Sequence, residues 1–202
     1  MTLTWEMNPA THQTLLFGMG DQHLDVALKR MEQKFQLNLV TLEPKVPYEE
    51  HITREGTATY RHKKQTGGSG QFGEVSLKVF PIEGEDFTFS NDVFGGAISN
   101  NYMGPIEKGI RNVMKEGVVA GYTVHNVGVS VVDGKEHPVD SKPIAFEIAG
   151  REAFKIAFKE ANPVLYEPIM RVAVTVPEAN MGDIMGDLNT RRARVQGMDT
   201  EH

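Results

Sequence analysis

"QTGGSGQFGEVSLKVF", residues 65–80, joins a glycine-rich stretch to an alternating apolar one. The order of the two decides which folds are open. Gly68-Ser69-Gly70-Gln71-Phe72-Gly73 has the G-x-G-x-x-G spacing of a dinucleotide fingerprint, and with Val75 it also fits the glycine-rich loop of a protein kinase. A dinucleotide loop follows a strand and opens a helix, because the pyrophosphate rests on the helix N-terminus. Here Val75, Leu77 and Val79 alternate with Ser76 and Lys78, so the glycines open a strand and the dinucleotide reading fails. A Walker loop needs a lysine after its last glycine. Glu74 and Val75 follow Gly73 instead, and a carboxylate there would repel a phosphate. The kinase reading lacks V-A-I-K, H-R-D and D-F-G segments, and the remaining chain is too short for that fold. What survives is a hairpin tip with positive charge just ahead of it, from Arg61, His62, Lys63 and Lys64.

A chain of 202 residues allows one or two domains, and its 40% apolar and 24% charged content is that of a globular protein with a core. No run is long and apolar enough to cross a membrane, and the polar start does not read as a signal peptide. The absence of cysteine excludes a disulfide framework and a thiolate metal site, and suits a reducing cytosol. Formal charge is -6, so any nucleic-acid contact has to come from local patches. Three stand out: Arg61 to Lys64, the region of Lys108, Arg111 and Lys115, and Arg191, Arg192 and Arg194.

Residues 1–17 alternate weakly around Asn8-Pro9-Ala10-Thr11, which predicts a hairpin. Asp21 reads as an N-cap for a helix carrying Leu24, Leu28, Met31 and Phe35. Residues 37–48 read as extended, with Pro44 and Pro47 favouring a sheet edge or a linker. Pro105 takes an N1 position ahead of Ile106, Ile110 and Val113, and Gly117 stops that helix. Residues 124–132 predict a strand closed by an Asp133-Gly134 turn, and 144–161 a helix ending at Asn162-Pro163. Met170, Val172, Val174 and Val176 alternate as a strand, followed by a short helix with Met181, Ile184 and Leu188. The methionines and Phe35, Phe154 and Phe158 are read as core. The mixture is an α+β chain.

Five stretches decide more together than any one alone: "GMGDQHLDVALKRM" (18–31), "QTGGSGQFGEV" (65–75), "GGAISNNYMGPIEKGI" (95–110), "DGKEHPVDSKPIAFEIAG" (133–150) and "EPIMRVAVTVPEANMGDIMGDLNTRR" (167–192). In this order they resemble bacterial translation elongation factor G, over essentially the whole chain. The resemblance implies a ribosomal protein S5 domain 2-like domain IV at 55–166. It is flanked by partial ferredoxin-like (βαββαβ) domains, part of domain III at 1–54 and part of domain V at 167–202. Met1 is expected to be an engineered start and His202 a tag remnant.

The resemblance also implies a function. The full-length parent would be a cytoplasmic GTPase using GTP and Mg to drive translocation, while this chain would hold no catalytic residue, no metal and no cofactor. Its partners would be the ribosome, through ribosomal RNA and the mRNA-tRNA pair at the decoding centre, and no membrane. Two loops would form the entering tip: Gln65, Thr66, Gly67, Gly68, Ser69, Gly70 and Gln71, and the segment with Asp133, Gly134, His137, Asp140 and Ser141. Glycines let backbone N–H groups approach a sugar–phosphate chain closely. His137 matches the family's histidine at the extreme of the second loop, though a lone histidine beside a D-G turn is by itself ordinary surface. Asp140 and Ser141 also suit folding of that loop through side-chain to backbone bonds. Arg61, Lys63, Lys64, Arg191, Arg192 and Arg194 are candidate RNA contacts. Ser69 stands where the family commonly has Arg, which removes a positive charge and leaves a ribosomal protection or recycling factor as an alternative. A phosphotransferase on a related fold would need a lysine after the glycines or a paired carboxylate cleft, and neither is found.

Overall fold

The computed structural model describes residues 3–8, 10–65 and 70–199, and the chain divides into two compact units, 1–168 and 169–202. The core of the first unit grows from the alternation noted above. In β5 (Gln71–Pro81) the side chains of Val75, Leu77 and Val79 are fully buried, while Ser76 and Lys78 face the other way. This strand pairs antiparallel with β4 (Gly56–Lys64) and with β7 (Val127–Lys135), and β6 (Phe87–Asn91) runs parallel to β7, giving the order β4-β5-β7-β6.

Two helices, α2 (Met103–Glu116) and α3 (Pro143–Glu160), pack against each other, and α3 packs on β4 and β5. Ile106, Ile110 and Val113 of α2 meet Phe146, Phe154 and Phe158 of α3 in one cluster with the sheet valines. Each such side chain, taken out of water, contributes about 1.5–3 kcal/mol, which makes this cluster the main stabilising element. Pro105 is the third residue of α2, not the first, because a single 3₁₀ turn at Asn100–Tyr102 leads into it; Gly117 ends the helix as expected.

A second small sheet joins β3 (Glu49–Ile52) to β8 (Pro163–Tyr166), so a strand read with the first segment pairs with the end of the middle one. Near the start, β1 (Thr4–Asn8) and β2 (Gln13–Phe17) form the expected hairpin, its turn held by Asn8 Oδ1 accepting from Ala10 and Thr11 N–H. Helix α1 (Asp21–Phe35) follows, capped by Gly20 with Asp21 already inside it. None of its residues is buried, so Phe35 is not core, and Met7, Met19, Met170 and Met198 are exposed as well. Residues 37–48 belong to no helix or strand, so the expected sheet edge does not form and the segment links α1 to β3.

Among its described residues the second unit holds one α-helix, α4 (Met181–Thr190), entered by a 3₁₀ turn at Glu178–Asn180. The expected strand at Met170 to Val176 is absent. Its alternation is genuine, but a strand needs a neighbour to take its N–H and C=O groups, and Ile169, Met170 and Val172 stand exposed. Of the strand and helix expected in 168–202, only the helix forms among the described residues. No helix is long and apolar enough to cross a membrane among the residues described.

Candidate nucleic-acid interface at the hairpin tip

β4 and β5 run in register from Gly56↔Val79 out to Lys64↔Gln71, so the glycine-rich stretch closes this hairpin. Thr66, Gly67, Gly68 and Ser69 lie outside the described residues; Gln65, Gly70 and Gln71 flank them in the chain. The second loop reaches the same end by another route. Asp133 and Gly134 do not form a turn; they continue β7, opposite Ser76 and Val75, past a β-bulge that leaves Val132 unpaired. Gly134 is needed there, since a Cβ at that position would meet the Glu74 carbonyl oxygen at 2.3 Å and Ile98 Cδ1 at 2.2 Å.

Beyond β7 the chain folds back onto the first loop. Phe72 N–H donates to the Asp140 carbonyl at 2.9 Å, and the Ser141 hydroxyl donates to the Phe72 carbonyl at 3.1 Å. Phe72 and Ser141 thus bridge the two loops in parallel. Gly70 sits against Asp140 so closely that a Cβ would come within 2.7 Å of its carboxylate. The second loop is closed on itself by His137 N–H donating to Ser141 Oγ at 2.8 Å and Ser141 N–H to the His137 carbonyl at 3.2 Å. His137 Nδ1 accepts from Val139 N–H at 3.3 Å and Asp140 N–H at 3.2 Å, and the ring lies tilted to Phe72 with centroids 6.1 Å apart. Lys63, Gln65, Gln71, Phe72, His137 and Asp140 line a cavity of about 130 Å³ between the loops.

The charges at this end balance. Arg61 is held by Glu74, its cross-strand partner, so the carboxylate expected to repel phosphate instead ties down a cation. Among the described residues neither Lys63 nor Lys64 forms an ion pair, and both are exposed. His62 Nε2 and Gln71 Oε1 are 3.0 Å apart, which orients that amide. Asp133 is exposed, whereas Glu136 accepts from Ser99 N–H at 3.0 Å. In the region of Lys108, Arg111 and Lys115 two of the three cations are engaged: Lys108 pairs with Glu147, and Arg111 pairs with Glu107 while lying over the Phe87 ring, whereas Lys115 is exposed. Arg191, Arg192 and Arg194 belong to the second unit, where Arg191 pairs with Asp187 at 2.8 Å. Among the described residues no group of histidines and carboxylates could hold a metal ion.

Sequence reasoning missed Phe72. Its only signal was an aromatic side chain inside a polar, glycine-rich tip, and the tertiary fold makes it the seam between the loops. It missed Glu50 too, a residue 1% exposed on β3 whose carboxylate accepts N–H bonds from Val118, Val119, Ala120, Gly121 and Tyr122 at 2.7–3.3 Å. No pattern in the chain points to that burial.

Comparison with known families gives three matches in series. Residues 1–43 match elongation factor G domain III, 44–162 match elongation factor G domain IV, and 164–202 match the elongation factor G C-terminus. An elongation factor G-like protein of Thermotoga maritima is 44% identical over 98% of this chain, which spans 29% of that relative's length. A crystal structure of a protein from Thermus thermophilus superposes with a TM-score of 0.84 at 40% identity, over 99% of this chain and 30% of that one. The matched regions are domains of the family other than its GTPase domain. With the domain IV match alone covering more than half of its residues, the chain belongs to the elongation factor G family.

Proposed function

We propose that this chain is the ribosome-contacting portion of an elongation factor G-like translational GTPase, whose tip loops 65–71 and 133–141 enter the decoding centre during GTP-dependent translocation of tRNA and mRNA. The observation that carries the reading is the seam at Phe72. Its N–H and C=O bond Asp140 and Ser141, so two loops distant in sequence act as one body that can push. The balanced charge supports recognition by shape. A helical RNA groove is met mostly through phosphates, 2′-hydroxyls and outline, and a narrow polar tip needs no large basic field for that. Lys63 and Lys64 supply cations at the foot of the first loop and Lys135 one within the second, and Arg191, Arg192 and Arg194 are a separate candidate contact on the second unit. GTP and Mg would be held by the GTPase domain of the parent, with none bound by this chain. The setting is the cytoplasm, with no membrane partner.

The test uses the full-length parent. His137→Ala is expected to slow single-turnover translocation on ribosomes by tenfold or more while GTP hydrolysis stays within about twofold, a barrier change of about 1.4 kcal/mol confined to the mechanical step. Equal translocation rates would reduce the second loop to scaffolding. A second reading, a ribosomal protection or recycling factor of the same superfamily, rests on Ser69 standing where the family commonly carries Arg. A parent that binds ribosomes with GTP yet supports no translocation selects it.

A further inference from the structure

We infer that the second tip loop selects the His137 tautomer with its proton on Nε2, that Ser141 is the residue positioning the ring, and that the tip thereby offers one fixed donor to an acceptor oxygen of an RNA sugar–phosphate chain. The nature of the ligand rests on the function proposed above. The tautomer and the positioning rest on geometry alone.

Nδ1 receives two backbone N–H groups, from Val139 at 3.3 Å and Asp140 at 3.2 Å. A ring nitrogen that accepts must present its lone pair, so it carries no proton, and a neutral imidazole then carries it on Nε2. Asp140 Oδ2 also approaches Nδ1, at 3.7 Å. That contact is an ion pair only when Nδ1 is protonated.

The ring cannot turn over without losing these bonds, and the loop that supplies them is held by Ser141. The Ser141 hydroxyl gives its proton to the Phe72 carbonyl at 3.1 Å, which leaves Oγ lone pairs for His137 N–H at 2.8 Å. One hydroxyl therefore fixes His137 relative to both the second loop and the β5 end of the first. The His137 side chain is 50% exposed, and Nε2 has no partner among the described residues. An N–H left without a protein partner is a donor only. It satisfies a phosphate oxygen or a 2′-oxygen, and leaves an exocyclic amino group unpaired.

The experiment has two arms. In the first, this chain is labelled with ¹⁵N-histidine and studied by long-range ¹H–¹⁵N correlation at pH 8, above the ordinary imidazole pKa of about 6.5. The His137 signals are assigned by their loss in His137→Gln. A single Nε2–H pattern is expected for the wild type, a mixture of tautomers for Ser141→Ala, and the single pattern again for Ser141→Thr. An Nδ1–H or mixed pattern in the wild type overturns the tautomer, and an unchanged pattern in Ser141→Ala overturns the positioning role. The second arm compares translocation by the full-length parent carrying His137→Gln, which keeps an N–H near the Nε2 position, with His137→Glu, which places an acceptor there. The glutamine variant should be faster by about tenfold, the worth of one hydrogen bond to a charged group; equal rates overturn the donor assignment. The spectra read the loop without a ribosome, so a failure of the proposed function and a failure of the tautomer leave different traces.

Discussion

Glu50 and His137 use the same device at two different places in the first unit: a side chain collects the backbone N–H groups of a loop. They differ in what is left over. The Glu50 carboxylate is buried, and its two oxygens are consumed by the N–H groups of Val118 to Tyr122, so all of its capacity goes into holding the turn after α2. The imidazole of His137 takes two N–H groups on one nitrogen and leaves the other without a partner among the described residues, on a half-exposed ring. A buried charge with every lone pair used is a structural part, because any unmet group there would cost free energy with nothing to offset it. A half-used ring at a surface loop can meet a partner without disturbing the fold.

The sharpest way to break this contrast is Glu50→Ala. It orphans N–H donors in a place where replacing them with water requires the turn to open, so unfolding free energy should fall by about 3 kcal/mol or more, read by urea denaturation. A loss below 1 kcal/mol would mean the turn holds itself. Next in size is Gly134→Ala. Its methyl group would be driven into the Glu74 carbonyl and Ile98, forcing β7 away from β5 beside the bulge. About 2 kcal/mol of destabilisation is expected, with weakened hydrogen-exchange protection of Phe72 and Ser141 N–H. Full protection with unchanged stability would show that the seam does not depend on this strand.

His137→Ala should change stability by no more than about 0.5 kcal/mol, since the freed N–H groups of Val139 and Asp140 can turn to water. A loss comparable to that of Glu50→Ala would erase the distinction between the two sites. The smallest expected effect is Ser69→Arg, at a position outside the described residues. One added cation should steepen the salt dependence of ribosome binding by about one phosphate contact, measured by co-sedimentation of the full-length parent across salt concentrations. An unchanged slope would place that residue away from RNA.

The chain shows β5 plainly, because Val75, Leu77 and Val79 alternate with polar residues, and it shows α2 and α3 through apolar side chains at helical spacing. The strand that follows Gly68 to Gly73 was legible from its alternation, and the order of five short stretches was enough to point to the family. β4 was not legible: "GTATYRHKK" has little apolar periodicity, and it is a strand because β5 lies beside it. The converse error occurs at Met170 to Val176, where good alternation produces no strand because no neighbour supplies the ladder. Asp133-Gly134 carries a turn signal and sits in a strand, since there its glycine serves close packing against Glu74.

Local order in the sequence determined what depends on residues a few positions apart: the period of an element, the side that is buried, the glycines that close a hairpin. The tertiary structure alone decided what depends on residues brought together from afar. Arg61 reads as a free cation until Glu74 faces it across the hairpin, and Glu50 reads as surface until a turn some seventy residues later wraps its carboxylate. Ser141 reads as a loop-former until Phe72 accepts its proton. The physical reason is the range of the forces. Backbone sterics and side-chain periodicity act along the chain and are written in neighbouring letters, whereas hydrogen-bond partners and charge neutralisation act through space and exist only once the sheet has placed both partners within about 3 Å.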